Sequence, residues 1–382
     1  MNNSWLLNLS TLQHGGSLQV AISLIEELKN HPNKLILLLS KPLQENLSPE
    51  ILQNFNHHLI HPSPARSKQS REKIIFLISE LSPAFIFTLF GPAYIKTSIP
   101  HLMGIGDGWV THADKLAFSS LSLLEKIQMH LLCAYKKHYF KQATHWITEA
   151  NISKQGAVKK FKISPEKITV IPNEISVFYK NYLNQEPQLI SISSSQPLNF
   201  FVFCSAYPHK NLKILIPTVL YLLEKNILNI RFHLTLPEQN KIYQKLSSQI
   251  KKNRLENYFI NHGPIKSPDS PALYQNMDAL LFPTLLETYS VTPLEAMAMG
   301  IPALISDIPA HRDLFTEDLV SFFNPLDPEN IAHQIITLIE NPEAAFQKQK
   351  NAKRWLKKIM SETAPRTQAF LNLINQIFEK KD

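Results

Sequence analysis

Short apolar runs alternate with helical patterns along this chain, and the alternation occurs twice. In the first half the apolar runs are 5–9, 34–40, 84–90, 101–107, 145–148 and 168–171. In the second half they are 200–205, 230–236, 258–262, 279–283, 303–306 and 320–323. Buried apolar strands separated by helices are typical of parallel sheets with helices on both faces. The pattern therefore predicts an α/β chain with two parallel-sheet domains.

The length of the chain and one polar stretch set the predicted domain limits. A chain of 382 residues suits two domains of about 150–200 residues. The stretch 184–197 is rich in serine and polar residues, which is typical of a linker. We predict Rossmann-like domains over 1–183 and 198–364 that face each other across a cleft. The amphipathic tail 365–382 is predicted to form a helix that returns to the first domain.

The charge and the composition restrict the class of partner. A net charge of +8 favours anionic partners, which include phosphates, nucleic acid and an acidic membrane face. Basic residues are not interleaved with aromatic residues as in single-strand binders, so we expect no nucleic-acid partner. No apolar run approaches the roughly 20 residues that cross a bilayer, and the start lacks the pattern of a signal peptide. We expect a cytoplasmic protein.

The predicted helix 121–141 leaves two interpretations open. It carries several basic residues, Lys126, His130, Lys136, Lys137, His138 and Lys141, and several apolar ones, Leu123, Leu124, Ile127, Leu131 and Leu132. A basic amphipathic helix can lie on an anionic membrane. The same pattern also fits a core helix with a solvated basic face. The first interpretation predicts peripheral association with the inner face of a membrane.

No pattern of metal ligands stands out in the sequence. No two aspartates are separated by one residue, so a D-x-D metal-binding pair is missing. His57, His58 and His61 have no cysteine or acidic residue nearby, and we interpret them as part of a surface strand. No Ser-His-Asp or Cys-His nucleophile motif is present either. We expect neither a metal nor another cofactor.

The segment 278–307 combines a strand, a loop, a short helix and a second strand. Thr292 and Glu295 have the spacing of a capping box, with Pro293 at the first helical position. Gly300 ends that predicted helix. The positive end of the helix dipole and its N–H groups then point into the loop that holds Glu287, an arrangement that suits a phosphate.

Glu287 and Glu295 are separated by seven residues, and Glu295 is followed by Ala-Met-Ala-Met-Gly300-Ile-Pro. This string resembles the E-x7-E and EAMA-G-P signature of the family 4 retaining glycosyltransferases, whose fold is GT-B. The resemblance implies that a sugar moves from a UDP- or GDP-sugar to a cell-envelope glycan or lipid-linked acceptor. It implies that the first domain takes the acceptor and the second takes the donor.

The resemblance also implies roles for individual residues. Glu287 would contact the donor sugar, Glu295 the ribose, and the amides near Tyr289, Ser290 and Val291 the diphosphate. Lys210, in the segment 205–212 after the first strand of the second half, matches a lysine on the donor diphosphate. No arginine occurs between Cys204 and Pro208, where the family has one, and His209 is the donor-binding candidate that would partly take its place.

Further candidates precede these in the chain. Val170-Ile171-Pro172-Asn173 resembles the family element that closes the first half, which makes Asn173 a donor-binding candidate. Gly15 and Gly16 open a predicted helix where a phosphate or sugar could approach its N–H groups. Asp107, in the run Gly-Ile-Gly-Asp-Gly at a strand end, is the candidate near the reacting carbon, and His112 is the alternative.

Two other functions remain open. The missing arginine, together with a loop that reads Glu-Thr-Tyr-Ser-Val without glycine, is compatible with a non-catalytic relative that binds a nucleotide-sugar or a partner protein and has a regulatory role. A two-domain sugar-nucleotide epimerase of similar fold is the other. Binding without turnover would favour the first, and an epimerised donor formed without acceptor would favour the second.

Overall fold

The computed structural model describes residues 4–13, 16–29, 35–192 and 196–379. The chain divides into two compact units. The first comprises Met1–Ala113, Leu123–Pro172 and Ala364–Asp382, and the second comprises Asp114–Ser122 and Asn173–Thr363. Residues 173–183 and the predicted linker thus lie within the second unit.

The first unit contains a seven-stranded sheet in which every strand pair is parallel. Its strands are β1 (Trp5–Leu9), β2 (Leu35–Ser40), β3 (Asn56–Ile60), β4 (Phe85–Thr88), β5 (His101–Ile105), β6 (His145–Thr148) and β7 (Ile168–Val170). They lie in the order β3-β2-β1-β4-β5-β6-β7. The predicted surface strand around His57 is therefore an edge strand.

The second unit contains a six-stranded parallel sheet. Its strands are β8 (Leu198–Val202), β9 (Ile230–Leu234), β10 (Phe259–Asn261), β11 (Ala279–Phe282), β12 (Ala303–Ser306) and β13 (Ser321–Phe323). Their order is β10-β9-β8-β11-β12-β13, which repeats the arrangement of the first sheet with one strand fewer.

Helices connect most of the strands. The α-helices are α1 (Gly16–Leu28), α2 (Lys41–Asn46), α3 (Pro49–Leu52), α4 (Lys68–Leu81), α5 (Gly108–Thr111), α6 (Lys115–Phe118), α7 (Leu123–Phe140), α8 (Asn151–Phe161), α9 (Val177–Lys180), α10 (Leu215–Glu224), α11 (Lys241–Lys252), α12 (Ser270–Tyr274), α13 (Val291–Met299), α14 (Pro309–Arg312), α15 (Pro328–Glu340), α16 (Pro342–Glu362) and α17 (Arg366–Ile374). A π-helical turn, Asn375–Glu379, follows α17. None of these helices is both long enough and apolar enough to cross a membrane.

The strands are apolar because both faces of each sheet are covered. In β8, Phe200 and Val202 pack into one hydrophobic cluster, whereas Phe201 packs into the cluster on the other face. Successive side chains of a strand point to opposite faces, so a strand buried on both sides has no polar alternation. This explains why the sequence predicts these strands as continuous apolar runs, and the predicted fold of two parallel-sheet domains is confirmed.

The tail returns to the first unit, as predicted. Four residues of α17, Phe370, Leu371, Leu373 and Ile374, are buried in the same cluster as β1. The Phe370 ring meets Phe87 of β4 edge-on, with 5.3 Å between ring centroids. The tail is not one regular helix, however, because α17 ends at Ile374 and a π-helical turn follows. Positions 380–382 of the predicted helix lie outside the described residues.

Candidate active site

Two central strands of the second sheet end side by side where the strand order reverses. β8 pairs with β11; β9 and β10 continue beyond β8, and β12 and β13 continue beyond β11. In open parallel sheets, ligands bind beyond the carboxyl ends of the strands at such a reversal. The segments that follow β8 and β11 hold three of the predicted residues, His209, Lys210 and Glu287.

These two segments are joined by hydrogen bonds to one carbonyl group. The Leu285 amide donates to the His209 carbonyl at 2.7 Å, and the Thr284 hydroxyl donates to the same carbonyl at 3.2 Å. His209 and Lys210 lie in one 3-10 turn, Pro208–Lys210, and the His209 ring stacks on Tyr207 with centroids 5.6 Å apart. The backbone therefore fixes the two loops in register with each other.

Lys210 and Glu287 form an ion pair 77 positions apart in sequence. The Lys210 Nζ donates to the Glu287 Oε1 at 2.5 Å, and only 14% and 13% of the two side chains are exposed. The ammonium also lies 5.0 Å from the centroid of the Phe282 ring at the end of β11. Lysine and glutamate side chains are rarely buried unless they are paired. Here the two opposite charges are paired beyond the ends of β8 and β11.

The electrostatics of the pair keep Glu287 ionised. Burial alone would raise the pKa of this carboxyl, but the charges of Lys210 and His209 and the hydrogen bond from Lys210 outweigh burial and leave the pKa lowered. A carboxylate in this state accepts hydrogen bonds and does not donate them. The site therefore offers one cation and one fixed anionic acceptor.

Helix α13 begins beside this pair with no side chain capping it. Its N-cap residue is Ser290, which makes no capping hydrogen bond, and its first helical residues are Val291 and Thr292. The predicted capping box between Thr292 and Glu295 is wrong, because the helix starts one residue before Thr292 and Pro293 is its third residue. The first N–H groups of a helix have no partner within it, which leaves them available to an anion.

His311 explains why Ser290 does not cap the helix. This histidine follows β12, is fully buried, and accepts the Ser290 hydroxyl at Nε2, 2.9 Å away. Its Nδ1 faces the Ser306 carbonyl at 2.7 Å. Because a carbonyl only accepts, Nδ1 carries the proton. Burial lowers the pKa of His311 to about 4, so the ring is neutral. Sequence reasoning missed this residue, since a single histidine after a strand belongs to no motif.

Replacing His311 with alanine should destabilise the second unit. The change removes two buried hydrogen bonds and leaves the Ser306 carbonyl and the Ser290 hydroxyl without these partners, so we expect the free energy of unfolding to fall by about 2–4 kcal/mol. Urea denaturation measures the effect. The matched control is His333→Ala at an exposed position, where the change should stay within about 0.5 kcal/mol. Equal stabilities for both variants would contradict the role of His311.

Glu295 lies in the second turn of α13 and is a largely uncharged acid. Burial raises its pKa to about 8, and among the described residues no charge or hydrogen bond offsets that effect. Burial and then the charge of Glu295 raise the pKa of the hydroxyls of Tyr179 and Tyr274, so the three groups lie within electrostatic reach. A carboxyl group in these surroundings gains from a ligand that supplies hydroxyl donors.

In the first unit, Asp107 is already engaged. It follows β5 and caps α5, where its Oδ1 accepts from the Trp109 amide at 3.0 Å. Its Oδ2 accepts from the Lys136 Nζ at 2.7 Å. Lys136, which the sequence assigned to the basic face of a helix, points inward instead. His112, the alternative candidate, forms a 2.9 Å hydrogen bond between its Nδ1 and Thr111 Oγ1.

The remaining candidates lie in different places. Gly16 is the first residue of α1, and among the described residues no atom beyond its chain neighbours and its own helix backbone lies within 4 Å of the point where a Cβ would stand. Gly15 lies outside the described residues. Asn173 comes three positions after β7 and belongs to the second unit. Tyr289 immediately precedes the N-cap of α13 and is partly buried against the neighbouring hydrophobic cluster.

A comparison with protein families matches a large part of the second unit. Residues 190–355 match the family described as "Glycosyl transferases group 1". Lys210, Glu287, Glu295 and His311 all fall within that span. Residues 190–355 therefore resemble a glycosyltransferase domain of this group, and the predicted resemblance is confirmed for this part of the chain.

One curated protein and two solved structures that resemble this chain are also glycosyltransferases or were solved with a nucleotide-sugar. The O-antigen chain mannosyltransferase RfbU of Salmonella typhimurium is 23% identical over 225 residues, which are 58% of each chain. Anabaena Alr3699/HepE, solved with UDP-glucose, superposes with a TM-score of 0.70 at 14% identity, over 98% of this chain and 100% of its own. WaaG, a glycosyltransferase of lipopolysaccharide biosynthesis, gives 0.70 at 16% identity, over 98% and 99%. These two structures share the fold of this chain.

Proposed function

We propose that this chain is a retaining glycosyltransferase that moves a hexosyl group from a UDP- or GDP-sugar to a cell-envelope glycan or lipid-linked acceptor. One observation carries the proposal: a buried lysine and glutamate stand beside an uncapped helix start, at the reversal of strand order in a group 1 glycosyltransferase domain. A sugar diphosphate needs a cation and free amides to bind its phosphates, and a carboxylate to accept hydrogen bonds from its sugar hydroxyls.

The donor diphosphate is proposed to bind between Lys210 and the start of α13. The amides of Val291 and Thr292 and the positive end of the helix dipole face an anion there, and Lys210 adds a full charge. Glu287 would accept hydrogen bonds from sugar hydroxyls, because the lysine keeps it ionised. Glu295 would accept hydrogen bonds from the ribose hydroxyls. These bonds would replace those to water that the buried carboxyl has lost.

The proposed chemistry is electrostatic. The bond between the anomeric carbon and the diphosphate oxygen breaks, and its electron pair leaves with the diphosphate. The acceptor hydroxyl oxygen bonds to that carbon on the same face, and its proton passes to the leaving diphosphate, so the configuration is retained. Lys210 and the α13 amides stabilise the charge that develops on the leaving group. Asp107 is proposed, from the resemblance alone, to act near the reacting carbon.

We propose that the transfer needs no metal, because Lys210 and the helix start supply the positive charge that a metal ion would otherwise provide. Removing divalent ions with EDTA should therefore leave the initial rate within about twofold of the untreated enzyme. Adding back magnesium or manganese should restore nothing further. A rate that falls tenfold and recovers with either ion would overturn this part of the proposal.

The relatives support the substrate classes without naming the substrate. RfbU is an O-antigen mannosyltransferase, HepE was solved with UDP-glucose, and WaaG acts in lipopolysaccharide biosynthesis. From these relatives and from the sequence resemblance together, we propose a UDP- or GDP-hexose as donor and an envelope glycan as acceptor. We propose a cytoplasmic enzyme in peripheral contact with an anionic membrane face, where a lipid-linked acceptor lies and where a net charge of +8 is attracted.

A donor screen tests the function. The enzyme is incubated with a panel of UDP- and GDP-hexoses and lipid-linked or lipopolysaccharide acceptors, and products are measured by mass spectrometry. A mass increase of one hexose on an acceptor supports transfer, and the anomeric configuration of the product tests retention. Tight binding of a donor with no product across the panel would favour a non-catalytic relative, and an epimerised donor would favour an epimerase.

A further inference from the structure

Helix α7 of the first unit turns its apolar side toward solvent. Its most exposed large apolar residues are Leu123, Leu124 and Leu131, with 77%, 66% and 67% of their surface accessible. Ile127, Leu132 and Tyr135 are also exposed. The core-helix interpretation of this segment is therefore wrong, because its leucines do not pack into the protein. Contiguous exposed apolar residues of this kind mark an interaction surface.

Five of these six exposed residues form a stripe and are not scattered. At 100° per residue, Leu123, Leu124, Ile127, Leu131 and Tyr135 fall within about 120° of the helix circumference. The opposite side faces the protein, where Phe140 is fully buried and Lys136 pairs with Asp107. The stripe thus points directly away from the core.

A neighbouring helix also exposes apolar side chains. The guanidinium of Arg71 on α4 donates to the hydroxyls of Tyr135 and Tyr139 on α7, at 3.0 and 3.2 Å. The two helices are therefore linked side by side. One turn after Arg71, α4 exposes Ile75 and Phe76. We name the exposed residues of the two helices the apolar ridge: Ile75, Phe76, Leu123, Leu124, Ile127, Leu131 and Tyr135.

The charges beside the ridge indicate what covers it. Residues 123–141 contain four lysines and one glutamate, and of these lysines Lys126, Lys137 and Lys141 fall along one edge of the stripe at helical spacing. An apolar stripe with lysines at its border matches the boundary between the acyl chains and the headgroups of an anionic bilayer. A second copy of the chain would bring the same lysines together and would be repelled.

We propose that the apolar ridge is a membrane-docking surface, which inserts its leucines among the headgroups of an anionic leaflet while the bordering lysines contact the lipid phosphates. The inference rests on the peripheral membrane contact of the proposed function and gives it a location. Docking would bring the first unit to a lipid-linked acceptor at the membrane surface.

Vesicle co-sedimentation tests the proposal without any sugar donor. A protein that does not bind vesicles can therefore be distinguished from a protein that does not transfer sugar. Wild-type protein should bind vesicles of phosphatidylglycerol and phosphatidylcholine at least about tenfold more tightly than phosphatidylcholine alone, and less tightly as salt rises. The triple variant Leu124→Ser, Ile127→Ser and Leu131→Ser should lose at least about tenfold in affinity. The double variant Lys137→Glu and Lys141→Glu should lose about tenfold on anionic vesicles only.

The matched control replaces three exposed apolar residues of the second unit, Leu189→Ser, Leu228→Ser and Leu326→Ser, and should bind like wild type. Wild-type protein that ignores anionic vesicles, or a ridge variant that binds as wild type does, overturns the proposal. A dimer that the ridge variant dissociates in light scattering, with no vesicle binding by the wild type, also overturns it and assigns the ridge to a second copy.

Discussion

Replacing Lys210 with alanine is expected to abolish sugar transfer, with kcat/KM falling about 10³-fold. We expect Glu287→Ala to lower kcat/KM by the same factor. Lys210 would lose its contact with the leaving diphosphate, and Glu287 its hydrogen bonds to the donor sugar. Product formation is measured by mass spectrometry at a donor concentration well below KM. The matched controls are Lys213→Ala and Glu238→Ala, both at exposed positions, which should retain activity within about twofold.

The ion pair also contributes to folding, so loss of structure must be separated from loss of function. Removing one partner of a buried pair leaves an uncompensated charge and costs about 3–5 kcal/mol, whereas removing both often restores part of the stability. The double variant Lys210→Ala and Glu287→Ala should therefore be more stable than Lys210→Ala alone and equally inactive. A double variant that recovers activity together with stability would show that the pair is only structural.

The stability of the ligand-free protein is expected to depend on Glu295 as the pH rises. The folded pKa is about 8 and the ordinary value is 4.5. Between these values the folded protein holds a proton that the unfolded chain has released, so stability falls as the pH increases. The contribution of this one group is about 1.4 kcal/mol per pH unit across that window. Above pH 8 both states are ionised and the slope ends.

Glu295→Gln removes the titrating group and keeps the shape of the side chain. Chemical denaturation of both proteins at pH 5, 6, 7, 8 and 9 isolates the effect, because all other groups titrate in both. The difference in stability should grow in favour of the glutamine variant up to about pH 8 and then stay constant. Parallel curves over the whole range would show that Glu295 is not held as a neutral acid.

The fold can be predicted from the sequence, because strands that are buried on both faces of a sheet are continuous apolar runs. Helix α4 could be predicted at its observed bounds, since Ser67 caps its start with a hydrogen bond to the Ser70 amide and Ser82 ends it in the left-handed conformation. Local signals decide such a helix. The start of α13 differs from the predicted capping box: the helix begins at Val291, and the hydroxyl of its N-cap residue Ser290 bonds to His311, 21 positions away.

The sequence predicts which residues belong to the candidate site, but it does not predict which of them contact each other. The resemblance supplied Lys210, Glu287 and Glu295 singly, and their strands suggested that they lie at one sheet edge. It gave no reason to pair Lys210 with Glu287, or Lys136 with Asp107, because these contacts depend on the order of the strands and on helix rotation. For α7, hydrophobic periodicity identified the helix, but apolar residues facing solvent and apolar residues facing a core produce the same period.

Calorimetric titration of UDP and of GDP into the wild type, Lys210→Ala and Lys213→Ala tests whether Lys210 and the start of α13 hold the donor diphosphate. We expect at least one of the two nucleotides to bind the wild type and Lys213→Ala to match it. Lys210→Ala should bind at least about tenfold more weakly, because a charge-assisted contact to the diphosphate is lost. Undiminished affinity in Lys210→Ala would contradict the claim that this lysine and the start of α13 hold the donor diphosphate.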